Sequence, residues 1–520
     1  MMSNRKLHVL GLTAALALGA TACNDGLTDV NKNPNNPEDA PAPTVFTTGT
    51  RLAVTQWMGN LNLRMFELLS QHLAEVQYPE TDAYQRLTAT FTEGNFGGAY
   101  FSELKDFQIV INKGLQLNAP GYYGPAMVMR SWEYGIMTDL WGDVPYSAAL
   151  VGDSFSVETR LRPAYDAQKD IYDSIFQTLN TATTAMNGTS ALLLGAADPL
   201  YSGSMVAWQR FSNSLRARHA LRIVNVDPAK ASAQLAAAFA APGGVFTTNA
   251  HNARFPWPGN GVYNNPWQVN FQTRDDHRIS TDLMALLNTG PETYEPGVDD
   301  PRLPIYARPA LAAPTIYRGL ENALTHSAAF GQINQVSRTG QVTYSASMPA
   351  WLMTNAEVKF IQAEAAERGL GGLTPAQAAG FYTAGIRASI DQWAAADPTR
   401  APTEAQITAY MARPDVVYAG GTAGLRQIAT QKWIALFTDG IQAYSEWRRT
   451  CVPFSVKPGP QATQSNVPRR LLYSTIEKAV NGANVDAAIA RQGADAFTTR
   501  IYWDKNPQAA PTYQAGCGQR

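Results

Sequence analysis

Stretches in which apolar residues recur at helical spacing dominate this chain. They cover about Val45–Ala74, Ala99–Leu115, Gly124–Trp141, Ala164–Thr181, Ser204–Ile223 and Leu425–Phe437. A further helix runs through Val358, Phe360, Ile361, Ala365 and Ala366. Its start is marked by Thr354 with Glu357 three residues on, a capping box in which each side chain satisfies an exposed backbone amide. Gly369 supplies a left-handed stop. Thr374-Pro375-Ala376-Gln377 opens the next helix, with Thr at the cap and Pro in the first turn. Asp227-Pro228 and Thr403 with Gln406 repeat these signals. Ala363, Ala365 and Ala366 leave room for a close helix neighbour. Short Gly/Pro turns between helices predict packed helical hairpins. Their spacing loosely resembles tetratricopeptide units, without a clean 34-residue repeat. The fold class is therefore mainly α.

Two long stretches break the pattern, Gly243 to Arg278 and Asp299 to Pro349. Irregular segments of that length in a compact domain are uncommon and often functional.

The first residues read as a leader. Arg5 and Lys6 precede an apolar run from Val9 to Ala20, then Ala20, Thr21 and Ala22. That is the layout of a secretory signal peptide over residues 1–22. The apolar run falls short of the roughly 18–20 residues needed to span a bilayer. Cys23 follows the small residues directly, as in a bacterial lipobox, and is the expected lipid-attachment site. Ala20 stands where such motifs usually carry Leu. Residues 23–43, rich in Asn, Asp and Pro, cannot bury enough apolar surface to offset their ordering entropy, and read as a tether. Residues 44–520 form the globular body.

Composition narrows the partners. Hydrophobic content of 45% and charged content of 16% are globular values. Net charge is −1, and removing Arg5 and Lys6 with the leader leaves about −3. Nothing in that balance calls for nucleic acid or an anionic bilayer surface. Of the three cysteines, Cys451 and Cys517 remain beyond Cys23. In an exported chain they allow one disulfide, which would tie down the tail.

Three motifs carry a resemblance. The first is Trp141-Gly142-Asp143-Val144-Pro145-Tyr146, after the aromatic helix Arg130-Ser131-Trp132-Glu133-Tyr134. The second runs from Ala356-Glu357-Val358-Lys359-Phe360-Ile361 to Glu367-Arg368-Gly369. The third runs from Gln431-Lys432-Trp433 through Gly440 to Tyr444-Ser445-Glu446-Trp447-Arg448-Arg449-Thr450. In content and order they resemble the SusD/RagB family of outer-membrane lipoproteins, over essentially the whole mature chain. Asp300-Pro301-Arg302-Leu303, Tyr317-Arg318-Gly319 and Pro468-Arg469-Arg470 agree more weakly. Cys451 departs from the Gly common there, which fits the expected bridge. The resemblance implies a SusD-like α-helical fold with tetratricopeptide-like helix pairs and a long irregular ligand-facing region. It also implies a lipid-anchored, surface-exposed lid on a SusC-like TonB-dependent transporter, to which a captured nutrient, most often an oligosaccharide, is delivered.

The motif residues themselves read as scaffold. Glu364 and Arg368 lie one turn apart and can pair. Arg448 and Arg449 can meet such carboxylates, and Trp141 and Trp433 fill a core. Ligand contact is expected from aromatic-rich loops. The leading candidate is Phe255 to Gln268, where Trp257, Tyr263 and Trp267 offer flat faces to sugar rings. Asn260, Asn264, Asn265 and Gln268 supply amides there, and Arg274, Asp275 and Asp276 supply charged hydrogen bonds. Replacing Trp257, Tyr263 and Trp267 together by Ala is expected to abolish ligand retention without unfolding. A second candidate is Gln77 to Tyr84, with Tyr78 and Tyr84 as contacts.

Enzyme signatures are absent. The six histidines include no close pair at helical ligand spacing, and no H-E-x-x-H, G-x-S-x-G or phosphate-binding loop occurs. Acid pairs such as Asp299/Asp300 leave open an extracytoplasmic glycoside hydrolase, which needs carboxylates set across a cleft. A surface scaffold, an adhesin or a peptide-binding lipoprotein would also fit an exported chain of this kind. No catalytic residue, metal site or cofactor is expected.

Overall fold

The computed structural model describes residues 40–151 and 161–520. The leader, Cys23 and most of the tether lie outside these residues. Helices carry the fold: α1 Ala42–Met58, α2 Glu103–Gln116, α3 Pro120–Trp141, α4 Gln168–Ala185, α5 Met205–Arg222 and α6 Pro228–Ala240. Each packs on the next along the chain, the arrangement of tetratricopeptide-like pairs. A second group, α7 Asn355–Glu367, α8 Ala378–Ala396, α9 Gly421–Ala435 and α10 Gly440–Thr450, packs in the same way and meets the first through α5 and α7. The capping signals hold locally. Thr403 with Gln406 and Thr374 with Gln377 form full capping boxes. The Asp227 carboxylate accepts from the Lys230 amide at 3.0 Å. At Thr354 only half the box forms. Its hydroxyl accepts from the Glu357 amide at 3.2 Å, while the Glu357 carboxylate turns to the buried Arg218 at 2.7 and 2.5 Å.

The expected single helix from Val45 to Ala74 is interrupted. It stops at Gly59, where a Cβ would lie 2.2 Å from the Thr55 carbonyl oxygen and press on Pro266. After two short helical pieces the chain enters strand β1, Leu73–Glu75. The strands pair in twos: β1 with β5 (His277–Ile279), β2 (Val144–Pro145) with β3 (Tyr165–Asp166), and β4 (Ala253–Phe255) with β6 (Ala350–Met353), all antiparallel. Thus β1 and β4 are each fixed by residues of the two long irregular stretches or their edges. Long-range pairing there overrides local helix preference.

The core holds Trp57, Trp132, Trp141, Trp208, Trp393 and Trp433, all fully or nearly fully buried. Charges are buried with them. Arg449 bridges Glu364 (2.7 and 2.6 Å) and Glu446 (2.6 Å), and Lys432 reaches Glu446 at 3.0 Å. Arg368 also meets Glu364, at 2.9 Å. These are the motif residues, and they lock α7, α9 and α10 together. Arg448 instead donates to the Asp139 carbonyl oxygen at 2.8 Å and lies between the rings of Tyr444 and Trp503. Cys451, left-handed at φ 59°, ends α10 and is bonded to Cys517, with Cα atoms 5.8 Å apart.

Candidate functional site

The irregular stretches converge on one face, which holds a cleft of about 480 Å³. The wall of this cleft is the β4–β6 pair, in which Arg254 stands opposite Trp351. Tyr201, Asn249 and Asn252 close one side, Gln392 at the end of α8 another, and Ser345, Ser347 and Met348 a third. Polar groups here are partly committed. Asn252 donates to Gln392 Oε1 at 3.1 Å and accepts from the Asn355 amide at 2.6 Å. Asn249 donates to the Ala388 carbonyl oxygen at 2.9 Å, and its own Oδ1 is buried without a partner. Arg254 is exposed, and its side chain makes no hydrogen bond or ion pair among the described residues. Trp351, Met348 and Val342 give this mostly polar lining its apolar part, and polar groups such as Arg254 are what fix a ligand's orientation in such a site.

The loop read from the sequence packs against residues 346–348, of which Ser347 and Met348 line this cleft. The Asn265 amide donates to the Ala346 carbonyl oxygen at 2.8 Å, and its side chain donates to that of Met348 at 2.7 Å. Gly259, at φ 65°, sits against Ser347, where a side chain would be crowded. Within the loop the three aromatics diverge. Tyr263 is 46% exposed, with the Arg51 guanidinium 5.2 Å from its ring centre. Trp257 is buried edge-on against Phe255, with centroids 4.9 Å apart. Trp267 is 1% exposed and donates to the Met58 carbonyl oxygen at 3.2 Å. The two tryptophans therefore anchor the loop to the core, and Tyr263 alone of the three presents a ring to solvent. The amides are engaged as well. Asn260 Oδ1 accepts from the Val262 and Tyr263 amides, and Asn264 accepts from Gly261 and donates to Gln268 at 3.2 Å.

The second candidate is the segment Gln77 to Tyr84. Tyr78 is half-buried, flanked by the guanidiniums of Arg274 at 5.1 Å and Arg86 at 5.6 Å. Arg274 reaches the buried Asp276 at 3.6 Å. Tyr84 is 2% exposed at φ 63°, inside the core and turned away from solvent. Behind Tyr78, burial pushes Glu75 up to about 9 and Asp82 up to about 7, and burial holds His277 down at about 3. Phe271 stacks on Tyr344 with ring centres 4.4 Å apart, and the Arg308 guanidinium also lies over Tyr344, 4.2 Å from its ring centre.

Sequence reasoning missed Trp351, Tyr201, Arg254, Gln392, Tyr344 and Arg308. Tyr344 lies within the irregular stretch Asp299 to Pro349 and Trp351 two residues past its end, so a local signal existed for the first of them. Gln392 and Asn252 meet across 140 positions, and nothing local announces that. Asp299 and Asp300 are used internally. Asp299 accepts from the Thr289 and Glu295 amides, and Asp300 binds Arg302 at 2.9 and 2.6 Å and Tyr410 at 2.8 Å. Among the described residues no group of three or more His, Cys, Asp or Glu is arranged to hold a metal ion, and no helix is long and apolar enough to cross a membrane.

Helix pairs carrying an irregular, cleft-bearing face define a helical-repeat binding protein. Residues 34–474 match the SusD-like family model described as starch-binding, associating with outer membrane. The chain belongs to the SusD-like family. Among solved structures it is similar to one titled a chitin-binding protein, at 28% identity and TM-score 0.76 over 89% of this chain and 99% of that one. It is also similar to a chitin-binding SusD homolog from Flavobacterium johnsoniae, at 26% identity and TM-score 0.73 over 91% and 99%. A SusD homolog from Bacteroides uniformis ATCC 8492 gives 25% identity and TM-score 0.76 over 90% and 100%. No curated protein matches the sequence.

Proposed function

We propose that this protein is a surface carbohydrate-binding lipoprotein of the outer membrane, anchored through Cys23. In this reading it captures an oligosaccharide and passes it to a SusC-like TonB-dependent transporter. Family membership over residues 34–474, with chitin-binding proteins among its structural relatives, is the observation that carries the reading. The ligand lies along the face between Tyr78 and the Arg254–Trp351 cleft, with Tyr263 on the adjoining loop. Ring faces meet the apolar faces of sugars, and polar side chains of the cleft, the free Arg254 guanidinium among them, meet hydroxyls. The protein acts by binding, without turnover or a cofactor.

The test is affinity purification of the tagged, lipidated protein from native outer membranes in mild detergent. Recovery of a stoichiometric TonB-dependent barrel is the expected result. Quantitative recovery without any barrel would remove the delivery step from this reading.

A further inference from the structure

Cations outnumber acids along the ligand face. The Arg254 side chain forms no hydrogen bond or ion pair among the described residues, and no Asp or Glu lines its cleft. The Arg308 guanidinium lies over Tyr344. It donates to the Thr339 carbonyl oxygen at 2.9 Å and to Gln341 Oε1 at 3.2 Å, and its Nη2 is buried without a partner. Arg338 has Asp275 at 3.9 Å, but that carboxylate already serves Arg278 at 3.1 Å. Arg86 and Arg274 flank Tyr78. The acids on this face are Glu80, Asp275 and Asp276, the last shared with Arg274. Five arginines thus face three acids, in a chain whose overall charge is −1. The excess is local.

A solvated surface arginine costs nothing, so Arg254 alone would say little. Arg308 is different. It is half-buried, and burial lowers its affinity for its proton, with the neighbouring charge of Arg338 acting in the same direction. Its Nε and Nη1 are engaged and its Nη2 is closed off from solvent, so what it offers an incoming anion is its charge, at short range beside Tyr344 and in a partly desolvated setting. The free guanidinium fork of Arg254 matches a carboxylate or a sulfate in two parallel hydrogen bonds.

Building on the carbohydrate-binding reading, we propose that the ligand is an anionic oligosaccharide whose carboxylate or sulfate groups are taken by Arg254 and Arg308. Arg254 holds the anion at the cleft mouth, and Arg308 with Arg338 holds one beside Tyr344. The sugar backbone between them lies on Tyr344, Tyr263 and the cleft wall.

The test is a glycan array probed with the purified mature protein. It carries oligogalacturonates, alginates, glycosaminoglycan oligomers and sulfated galactans beside neutral starch, xylan, β-glucan and chitin oligomers. Oligogalacturonate paired with its methyl ester, and sulfated galactan paired with its desulfated form, isolate the charge. The expected result is binding to acidic members, at least about tenfold tighter than to their neutral partners and weakened by salt. Arg254→Gln, which removes no internal contact, lowers that affinity about tenfold, and adding Arg308→Gln lowers it further. Preference for one matched pair identifies the anion as carboxylate or sulfate. Binding to neutral glycans that is unchanged in Arg254→Gln overturns the anionic ligand and leaves the carbohydrate reading standing. Binding to no glycan of either kind overturns both.

Discussion

Trp267 and Tyr263 lie four residues apart in one loop, and replacing each by Ala separates scaffold from ligand contact. Trp267 is 1% exposed, and its indole N–H is bonded to Met58 at the end of α1. Removing a buried Trp side chain costs about 3–5 kcal/mol through lost burial and the cavity left behind. The lost hydrogen bond adds roughly 1 kcal/mol. Unfolding entropy near 2.1 cal/mol/K per residue gives about 1 kcal/mol/K for a body of this size, so the melting temperature falls by about 4–6 °C. Tyr263 is 46% exposed, and its contact with Arg51 contributes about 0.5–1 kcal/mol, a shift of about 1 °C or less. Scanning calorimetry of both variants, with retardation in ligand-impregnated native gels as the binding readout, makes the comparison. Trp267→Ala melts early. Tyr263→Ala melts with the parent and loses retention. Sequence alone has the triple Ala replacement with Trp257 staying folded, whereas the burial of both tryptophans predicts a depressed melting point. A Trp267→Ala protein that melts within about 1 °C of the parent would refute this division of roles.

The core supports further tests. The Cys451–Cys517 bond spans a sequence separation of 66, so reduction should lower stability by about 4 kcal/mol, read as a drop in melting temperature with dithiothreitol that a Cys451→Ser, Cys517→Ser variant no longer shows. Arg449→Met leaves the carboxylates of Glu364 and Glu446 buried with fewer partners. A loss of about 3–5 kcal/mol is expected in urea titrations, and a loss under about 1 kcal/mol would mean that Lys432, Arg222 and Arg368 suffice. Burial raises Glu75 from 4.5 to about 9, so the folded state keeps a proton that the unfolded chain gives up. Its contribution is fully present below pH 4.5 and is lost as pH rises toward 9. Glu75→Gln should therefore match the parent near pH 4 and exceed it in urea midpoint near pH 9. Glu364, held down at about 2 with Arg449 opposing its burial, works in the other direction, contributing above pH 4.5 and less as pH falls toward 2.

Local chemistry made most helices legible. Thr403, Thr374 and Asp227 cap where their spacing indicated, because a cap involves only the next three residues. The motif charges were readable as scaffold for a similar reason: Glu364 and Arg368 are one turn apart on any helix. What sequence could not supply was tertiary choice. Glu357 had two possible uses, and Arg218, 139 positions away, decided between them. Tyr263, Trp257 and Trp267 look alike as residue types. Only the packing of the loop on Met58, Phe255 and Ala346 shows which ring is left outside. The loop lies on the cleft-bearing face, and its neighbours Trp351 and Arg254 came with the strand pairing that no local pattern encodes.

Ligand choice can vary within such a fold. Residues that identify the family sit in a buried charge network, where replacing one member strands its partners. They are constrained together and carry no information about the ligand. The face made from the two irregular stretches is held by a few anchors, chiefly Trp257, Trp267, Asn265 and the β4–β6 and β1–β5 pairs. Between those anchors, Arg254, Tyr263 and Ser347 make few contacts that the fold needs, so exchange at these positions costs little stability. Specificity can change there while the scaffold stays the same. Ligand identity is therefore better sought in the charge and ring pattern of that face than in overall similarity to relatives that bind chitin.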